Sequence, residues 1–509
     1  MTMAQRASAA TAAALSFLLT LCFAGCQPAT TNAPATNANA NAPNVNVANA
    51  NAAATPVANT GAGANSQPVT LAVLDALFAD DSFTRDLKSR LQLTDDQIAR
   101  LRKAAGEERA GLRESDEQSG TTTGATERAN AKVREIVGAD KADQFFALAS
   151  ERWSGNDSGA SSSSEAGGKM SATADKPNAV PTDTRVVVNA PAFRMDVFEQ
   201  GRLVKSYKVG IGYPEFPLPA GMRKANTIIF NPEWTPPDEP WVEVAGSKVK
   251  VGEKVAAGSR LNPLGPIKIP IGLPSLIHGG KSPARLGNFA SHGCVGLTNE
   301  LVQDFTRELA RLGGTELNDE QIKTYAKNPT ETKSVKLDHA VPVELRYETM
   351  VVTDDGKLHV YRDVYDRGTN TEENLRAVLQ AHGVSLDQLS EQERAQALAA
   401  VRQMARDATG NPADGGGTER PDTGANASKK TANKNASNQN GAGRAADKNE
   451  NTAGAAAPHV TRNVKGQKEI VIEIAALRGK GYPVPAGGGF DTNEQGKQNA
   501  TAPKKGKRR

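Results

Sequence analysis

Long stretches of this chain lack the side chains that a core requires, and they decide what the rest can become. Residues 26–66 are almost entirely Asn, Ala, Pro and Thr, as in Asn37-Ala38-Asn39-Ala40-Asn41. Residues 153–182 are rich in Ser, Gly and Ala, and residues 410–460 are again low in complexity. Such segments cannot bury enough apolar surface to offset the entropy of ordering them. They read as a disordered tether, a linker and a disordered insert. One continuous core through all 509 residues is therefore excluded, and the patterned remainder falls into separate blocks.

The first block, residues 67–152, has helical periodicity. Leu71, Leu74, Leu77 and Phe78 recur at helical spacing, and Ile98, Leu101 and Leu112 extend an apolar stripe. Thr94 and Gln97 have the spacing of a capping box. The texture changes at about Asp183. Val186–Val188 form a short β run, Phe193, Met195 and Val197 alternate, and Leu203–Val209 are β-prone again. Frequent Pro and Gly between short strands predict a mostly-β sandwich or barrel over 183–366. Leu301–Leu312 read as its one helix, and Val341–Tyr347 and Lys357–Tyr361 as its closing strands. Residues 367–409 are helical once more, with Ser390 and Glu393 as a second capping box. Residues 461–509 hold one isolated strand-like run, Glu469–Ile474, and a basic tail.

The N-terminus reads as an export signal. Arg6 precedes an apolar run from Ala12 to Ala24, too short for a spanning helix. The sequence Phe23-Ala24-Gly25-Cys26 resembles the bacterial lipoprotein cleavage site. That resemblance implies removal of residues 1–25, lipid on Cys26, and anchoring to a membrane of the cell envelope on its periplasmic side. Cys22 would leave with the signal, and Cys294 would be the one unmodified cysteine, without an intrachain disulfide partner.

Two of the six histidines lie close to that cysteine in sequence, in Ile277-His278-Gly279-Gly280 and Ser291-His292-Gly293-Cys294-Val295. A cysteine nucleophile needs a base or cation to become a thiolate, and His278 and His292 are the candidates. On a strand, His292 and Cys294 would share a face. The amides of Gly293 and Cys294 are candidate oxyanion donors. Taken alone, Ser-His-Gly-Cys is equally compatible with a buried structural cysteine and a satisfied histidine. Three ligands at His278, His292 and Cys294 would also be a plausible zinc count, although no carboxylate stands at motif spacing.

The ordered set of motifs resembles the L,D-transpeptidases, the YkuD-like domain. His278-Gly279 followed by Ser291-His292-Gly293-Cys294-Val295 is similar to the family signature. Gly210-Ile211-Gly212, Pro219-Ala220-Gly221, Asn231-Pro232-Glu233-Trp234, Asn262-Pro263-Leu264-Gly265 and Asp363-Val364-Tyr365 resemble its other motifs, in order. The resemblance spans residues 183–366. It implies an L,D-transpeptidase-like β-sandwich or barrel with a short helix, flanked by helical segments and disordered linkers. It further implies a cysteine acyltransferase acting on peptidoglycan stem peptides without metal or cofactor. Cys294 would be the nucleophile and His278 the general base and acid. Ser291, His292, Gly293 and Gly279 would shape the site and its oxyanion hole. The acceptor would be a stem peptide, an envelope lipoprotein side chain or water.

The sequence departs from the family in two places, of which Leu218, where Thr often precedes the Pro-x-Gly turn, is the smaller. Gly296 stands where an arginine usually follows the cysteine by two residues, so the fixed fork that would hold a carboxylate is missing. Arg285 is a candidate replacement. Arg285 and Asn299 are the candidate substrate contacts, and Asn299 also reads as a structural hydrogen-bonder. The missing arginine leaves open a catalytically weak, lipid-anchored peptidoglycan-binding protein, or a scaffold whose helical flanks bind partners. The 61 Lys and Arg against 57 Asp and Glu leave a net charge of +4, too little at this length to indicate nucleic acid. The basic run Lys504–Arg509 is a solvated end or a contact to anionic wall polymers.

Overall fold

The computed structural model describes residues 67–111, 113–114, 120–155, 176–236, 249–250, 252–272, 275–327, 331–412, 459–460 and 463–487. The expected signal, Cys26, the tether, the low-complexity stretch from residue 413 and the basic tail lie outside the described residues. Among the described residues no helix is long and apolar enough to cross a membrane.

The first block is helical, as its periodicity predicts. It comprises α1 (Leu71–Phe78), α2 (Asp81–Leu91), α3 (Asp95–Gly111), the two-residue β1 (Arg113–Glu114), α4 (Thr122–Val137) and α5 (Ala139–Ser154). Both reciprocal bonds of the first capping box form: Gln97 N–H donates to Thr94 Oγ1 (3.2 Å) and Thr94 N–H to Gln97 Oε1 (3.1 Å). Phe83, Leu87, Phe145 and Trp153 fill its core. Burying a side chain of this size contributes about 2 kcal/mol. α5 runs into the expected linker and ends at Ser154, where Gly155 supplies the left-handed cap. Asn178, near the linker's other end, is buried and exchanges hydrogen bonds with Met350 O and Val352 N–H.

The second block is a curled sheet. Its strands are β2 (Arg185–Asn189), β3 (Arg194–Glu199), β4 (Arg202–Lys208), β5 (Ile211–Gly212), β6 (Gly221–Phe230), β7 (Ile267–Pro270), β8 (Leu276–His278), β9 (Phe289–Ser291), β10 (Val295–Gly296) and β11 (Lys333–Arg346). Eight of them form one sheet in the order β10-β8-β7-β6-β11-β2-β3-β4. The chain leaving β4 returns to the opposite edge. Gly210 and Gly296 exchange both backbone hydrogen bonds (2.9 and 2.8 Å), and β5 pairs in parallel with β9. The chain leaving β4 is thus tied to the β10 edge at a seam, and the curled sheet takes the half-barrel form that fits the sandwich or barrel expected from the sequence.

One principal helix packs against this sheet, α6 (Asn299–Leu312), burying Val302, Phe305 and Leu309, with the shorter α7 (Asp319–Lys327) beside it. Thr298 caps α6 by accepting from Leu301 N–H (3.2 Å).

Lys357–Tyr361, read from sequence as a closing strand of the same sheet, belongs elsewhere. β12 (Met350–Thr353) and β13 (Lys357–Tyr361) form a hairpin, and β13 pairs with β15 (Glu469–Glu473). The run at 469–474 is thus not isolated. Helices α8 (Glu372–Ala381) and α9 (Glu391–Met404) cover this small sheet with Leu375, Leu379, Val401 and Met404. The Ser390–Glu393 capping box opens α9 as read. The two-residue β14 (His459–Val460) pairs with β1.

The second sheet also explains why β2 and β3 are buried on both faces instead of alternating. Val351 and Tyr482 pack over Val187 and Phe198 on the side that alternation would leave to water.

Candidate active site

The candidate residues gather at the seam. β8 and β10 are parallel neighbours, with His278 opposite Gly296 and Ile277 opposite Val295. Cys294 sits in the turn that joins β9 to β10, partly buried, one residue before the pairing begins. The fold thus brings His278 and Cys294, sixteen residues apart in sequence, onto adjacent chains at the edge of the sheet. Among the described residues no hydrogen bond joins the His278 ring to the thiol. Catalytic contacts of this kind often tighten only when substrate is bound.

The turn is built by its own side chains. β9 ends at Ser291, and Gly293 takes a left-handed conformation (φ +82°), so strand alternation does not relate His292 to Cys294. Ser291 Oγ donates to Cys294 O (2.6 Å) and accepts the Cys294 N–H (2.9 Å). The Cys294 amide is therefore engaged and does not point freely at an oxyanion, contrary to the expectation from sequence. His292 lies edge-on to two rings, Tyr213 at 5.1 Å and Phe216 at 4.7 Å between centroids.

The wall behind this turn comes from the helical block. A Cβ on Gly293 would stand 3.8 Å from Trp153 Cη2 of α5. Thr70 and Thr122 donate their hydroxyls to the carbonyls of Glu215 and Pro214 (2.7 and 2.8 Å), beside Phe216.

His278 is 3% exposed, and its Nδ1 lies 2.8 Å from Gly279 O. A carbonyl only accepts, so Nδ1 donates to Gly279, and the Leu264 backbone bonds to the ring as well. Burial pushes the imidazole down to about 3, and the charge of Lys281 adds to this. Burial also pushes the Cys294 thiol up, while the Leu276 backbone and Lys281 favour the thiolate. Lys281 itself is lowered to about 8, chiefly by burial, with Cys294 opposing and Arg285 adding to the shift.

Two loops hold His278 and its glycines. Asn299 Oδ1 accepts the Gly280 N–H (2.8 Å). Asn262 accepts from Leu264 N–H (3.0 Å) and donates to Pro232 O (2.7 Å), shaping Asn262-Pro263-Leu264-Gly265. At Gly265 this loop runs so close to Gly280 that a Cβ would overlap the Gly280 amide nitrogen. The Asn-Pro-Leu-Gly motif is therefore the support under the His-Gly motif. Tyr365 braces the seam by donating to Gly212 O (2.9 Å).

Of the candidate substrate contacts, Arg285 reaches the Tyr213 hydroxyl (3.3 Å), and Asn299 holds the loop as described. Lys281 was not legible as a site residue, because nothing in its sequence context separates it from a surface lysine. Among the described residues no three His, Cys, Asp or Glu side chains converge as a metal site, so His278, His292 and Cys294 do not assemble as one.

Residues 183–331 match the YkuD family, the L,D-transpeptidase catalytic domain. The YkuD region includes the whole seam, with His278, Lys281 and Cys294, and stops short of β11. No curated protein matches the chain. Among solved structures, the catalytic domain of the Enterococcus faecium L,D-transpeptidase is 14% identical, with 33% of this chain and 98% of that chain covered and a TM-score of 0.20. An L,D-transpeptidase from Mycobacterium smegmatis is 15% identical over 32% of this chain and 58% of that one, with a TM-score of 0.19. One from Mycobacterium tuberculosis is 14% identical over 32% and 57%, with a TM-score of 0.18. The chain spans about half (49%) of another structure, an avibactam carbamoyl enzyme.

Proposed function

We propose that the YkuD region is an L,D-transpeptidase acting on peptidoglycan stem peptides, with Cys294 as nucleophile. The observation that supports this reading best is the placement of the Cys294 turn beside β8, which carries His278, inside the region that matches the family.

In the first step the Cys294 sulfur bonds to the carbonyl carbon of the diaminoacyl residue of a donor stem. The amide bond to the terminal D-alanine breaks, and the leaving amine takes the proton that the thiol gave up, relayed by the His278 imidazole. In the second step an acceptor amine bonds to the same carbon. The thioester C–S bond breaks and the proton returns to sulfur by the same route. Ser291 fixes the turn, Gly279 and Gly293 let backbone approach closely, and His292 shapes the wall. The acceptor is a second stem, an envelope lipoprotein or water. The chain is held to the envelope by lipid on Cys26, facing the periplasm.

Carbapenem acylation tests the nucleophile. The full chain incubated with a carbapenem is expected to gain one drug mass on the Cys294 peptide, and Cys294→Ala none. Folded wild-type protein that gains no mass would remove the nucleophile assignment.

A further inference from the structure

β11, β12 and α8 border a cavity of about 700 Å³ whose lining includes neither His278 nor Cys294. A cavity of this size accommodates a small ligand or a short peptide. Met350, Ala377 and Val378 supply apolar lining.

Six charged residues line it as well, and three of them are spent on one another. Arg346 donates to both carboxylate oxygens of Glu344 (2.8 and 3.0 Å) and lies 3.8 Å from Glu348, which also accepts the Asn178 N–H (2.8 Å). The other three, Lys176, Arg367 and Glu373, make no ion pair among the described residues.

Arg367 shows why its charge is left over. The carboxylates beside it in the chain are engaged by neutral donors. Asp363 accepts the Tyr347 hydroxyl and the backbone N–H groups of Arg367 and Thr369 (3.0 Å each), and Asp366 accepts the Thr123 N–H (3.3 Å). The guanidinium is held instead over the Tyr347 ring, 4.2 Å from its centroid, and by Gln67 Oε1, which accepts from Nη2 at 2.9 Å. Its Nε has no hydrogen-bond partner among the described residues. A stacked, pre-oriented guanidinium of this kind suits a carboxylate that comes from outside the chain.

We propose that this cavity is a second ligand site, which takes a short peptide bearing both a carboxylate and an amine. Arg367 receives the carboxylate, Lys176 adds positive charge, and Glu373, in the first turn of α8, receives the amine. A ligand of one sign only would leave the opposite charge at the cavity unmatched. Identifying the peptide as a wall stem, which carries a diaminoacyl amine and free carboxylates, rests on the function proposed above.

Photo-labelling tests the site. The full chain carrying Cys294→Ala is irradiated with a diazirine-bearing stem tetrapeptide, and labelled fragments are read by mass. Label is expected within residues 367–378 in addition to any near the Cys294 turn. Arg367→Met and Glu373→Gln are each expected to raise the half-saturating concentration for that label about tenfold. Ala377→Trp, at an exposed position of α8, fills the cavity and is expected to abolish the label, and it carries the test if Arg367→Met fails to fold. Label confined to the Cys294 turn overturns the proposal. So does equal labelling of 367–378 by a tetrapeptide with its amine acetylated and its carboxylates amidated. Cavity label in a chain whose wild type transfers no stem would keep the site and sink the transpeptidase reading, and transfer without cavity label would do the reverse.

Discussion

Ser291 Oγ and the Cys294 backbone are joined twice, as donor to the carbonyl and as acceptor from the amide. The serine is 5% exposed, so both bonds are sheltered from water. Ser291→Ala leaves a buried amide and carbonyl without their partner, at a cost of about 1–3 kcal/mol. Thermal unfolding should show that loss, and carbapenem acylation of Cys294 should slow. Ser291→Thr, which keeps the hydroxyl, should lie closer to wild type in both. Equal behaviour of all three proteins would refute a structural role for the hydroxyl.

Asn299 separates a structural from a substrate-binding role. Its Oδ1 holds Gly280, two residues after His278. Asn299→Asp keeps that acceptor and loses the amide donor, whereas Asn299→Ala loses both. Retained acylation in Asp and a drop of tenfold or more in Ala are expected. If Asp falls as far as Ala, the amide group acts on substrate instead.

His278 makes stability depend on pH. Its folded value, about 3, lies below the ordinary 6.5, so the fold favours the neutral ring. This contribution is fully present above about pH 6.5 and is lost as pH falls toward 3, at no more than about 1.4 kcal/mol per unit. Urea unfolding at pH 7 and pH 4.5 should show the decline, and His278→Gln should flatten it. A parallel decline in wild type and variant would assign the pH dependence to other groups.

Asp366 has the opposite sign. Burial pushes its carboxyl up to about 7, and Thr123 N–H of α4 donates to it at 3.3 Å. The protonated form is favoured in the fold, so its contribution is full below about pH 4 and is lost as pH rises through 7. Asp366→Asn removes the charge and tolerates the positive φ of 51°. Its melting temperature should exceed wild type at pH 8, with the gap shrinking as pH falls and closing below about pH 4. A variant less stable at pH 8 would show that the ionised carboxylate is the stabilising form.

What was legible in the sequence follows the range of the interactions. The capping boxes at Thr94 and Ser390, the helix over 301–312 and the His-Gly and Ser-His-Gly-Cys motifs are local, and local chemistry is written in consecutive residues. The second partner of β13, β15, is more than a hundred residues away, beyond two helices and a low-complexity stretch, so 357–361 read as part of the nearer sheet. Burial of both faces of β2 and β3 depends on Val351 and Tyr482, which no alternation pattern reports. Cys294 was legible through its neighbours, whereas the engagement of its amide by Ser291 required the actual turn.

The central claim is acyl transfer by Cys294, and its most direct measurement is product mass. The full chain and Cys294→Ala are incubated with disaccharide-tetrapeptide. Loss of D-alanine with a cross-linked dimer, or with a transferred amine when one is supplied, is the expected result for wild type, and neither product is expected for the variant. Folded wild-type protein that binds the substrate yet yields the same product spectrum as Cys294→Ala would contradict the transpeptidase reading and leave a peptidoglycan-binding protein in its place.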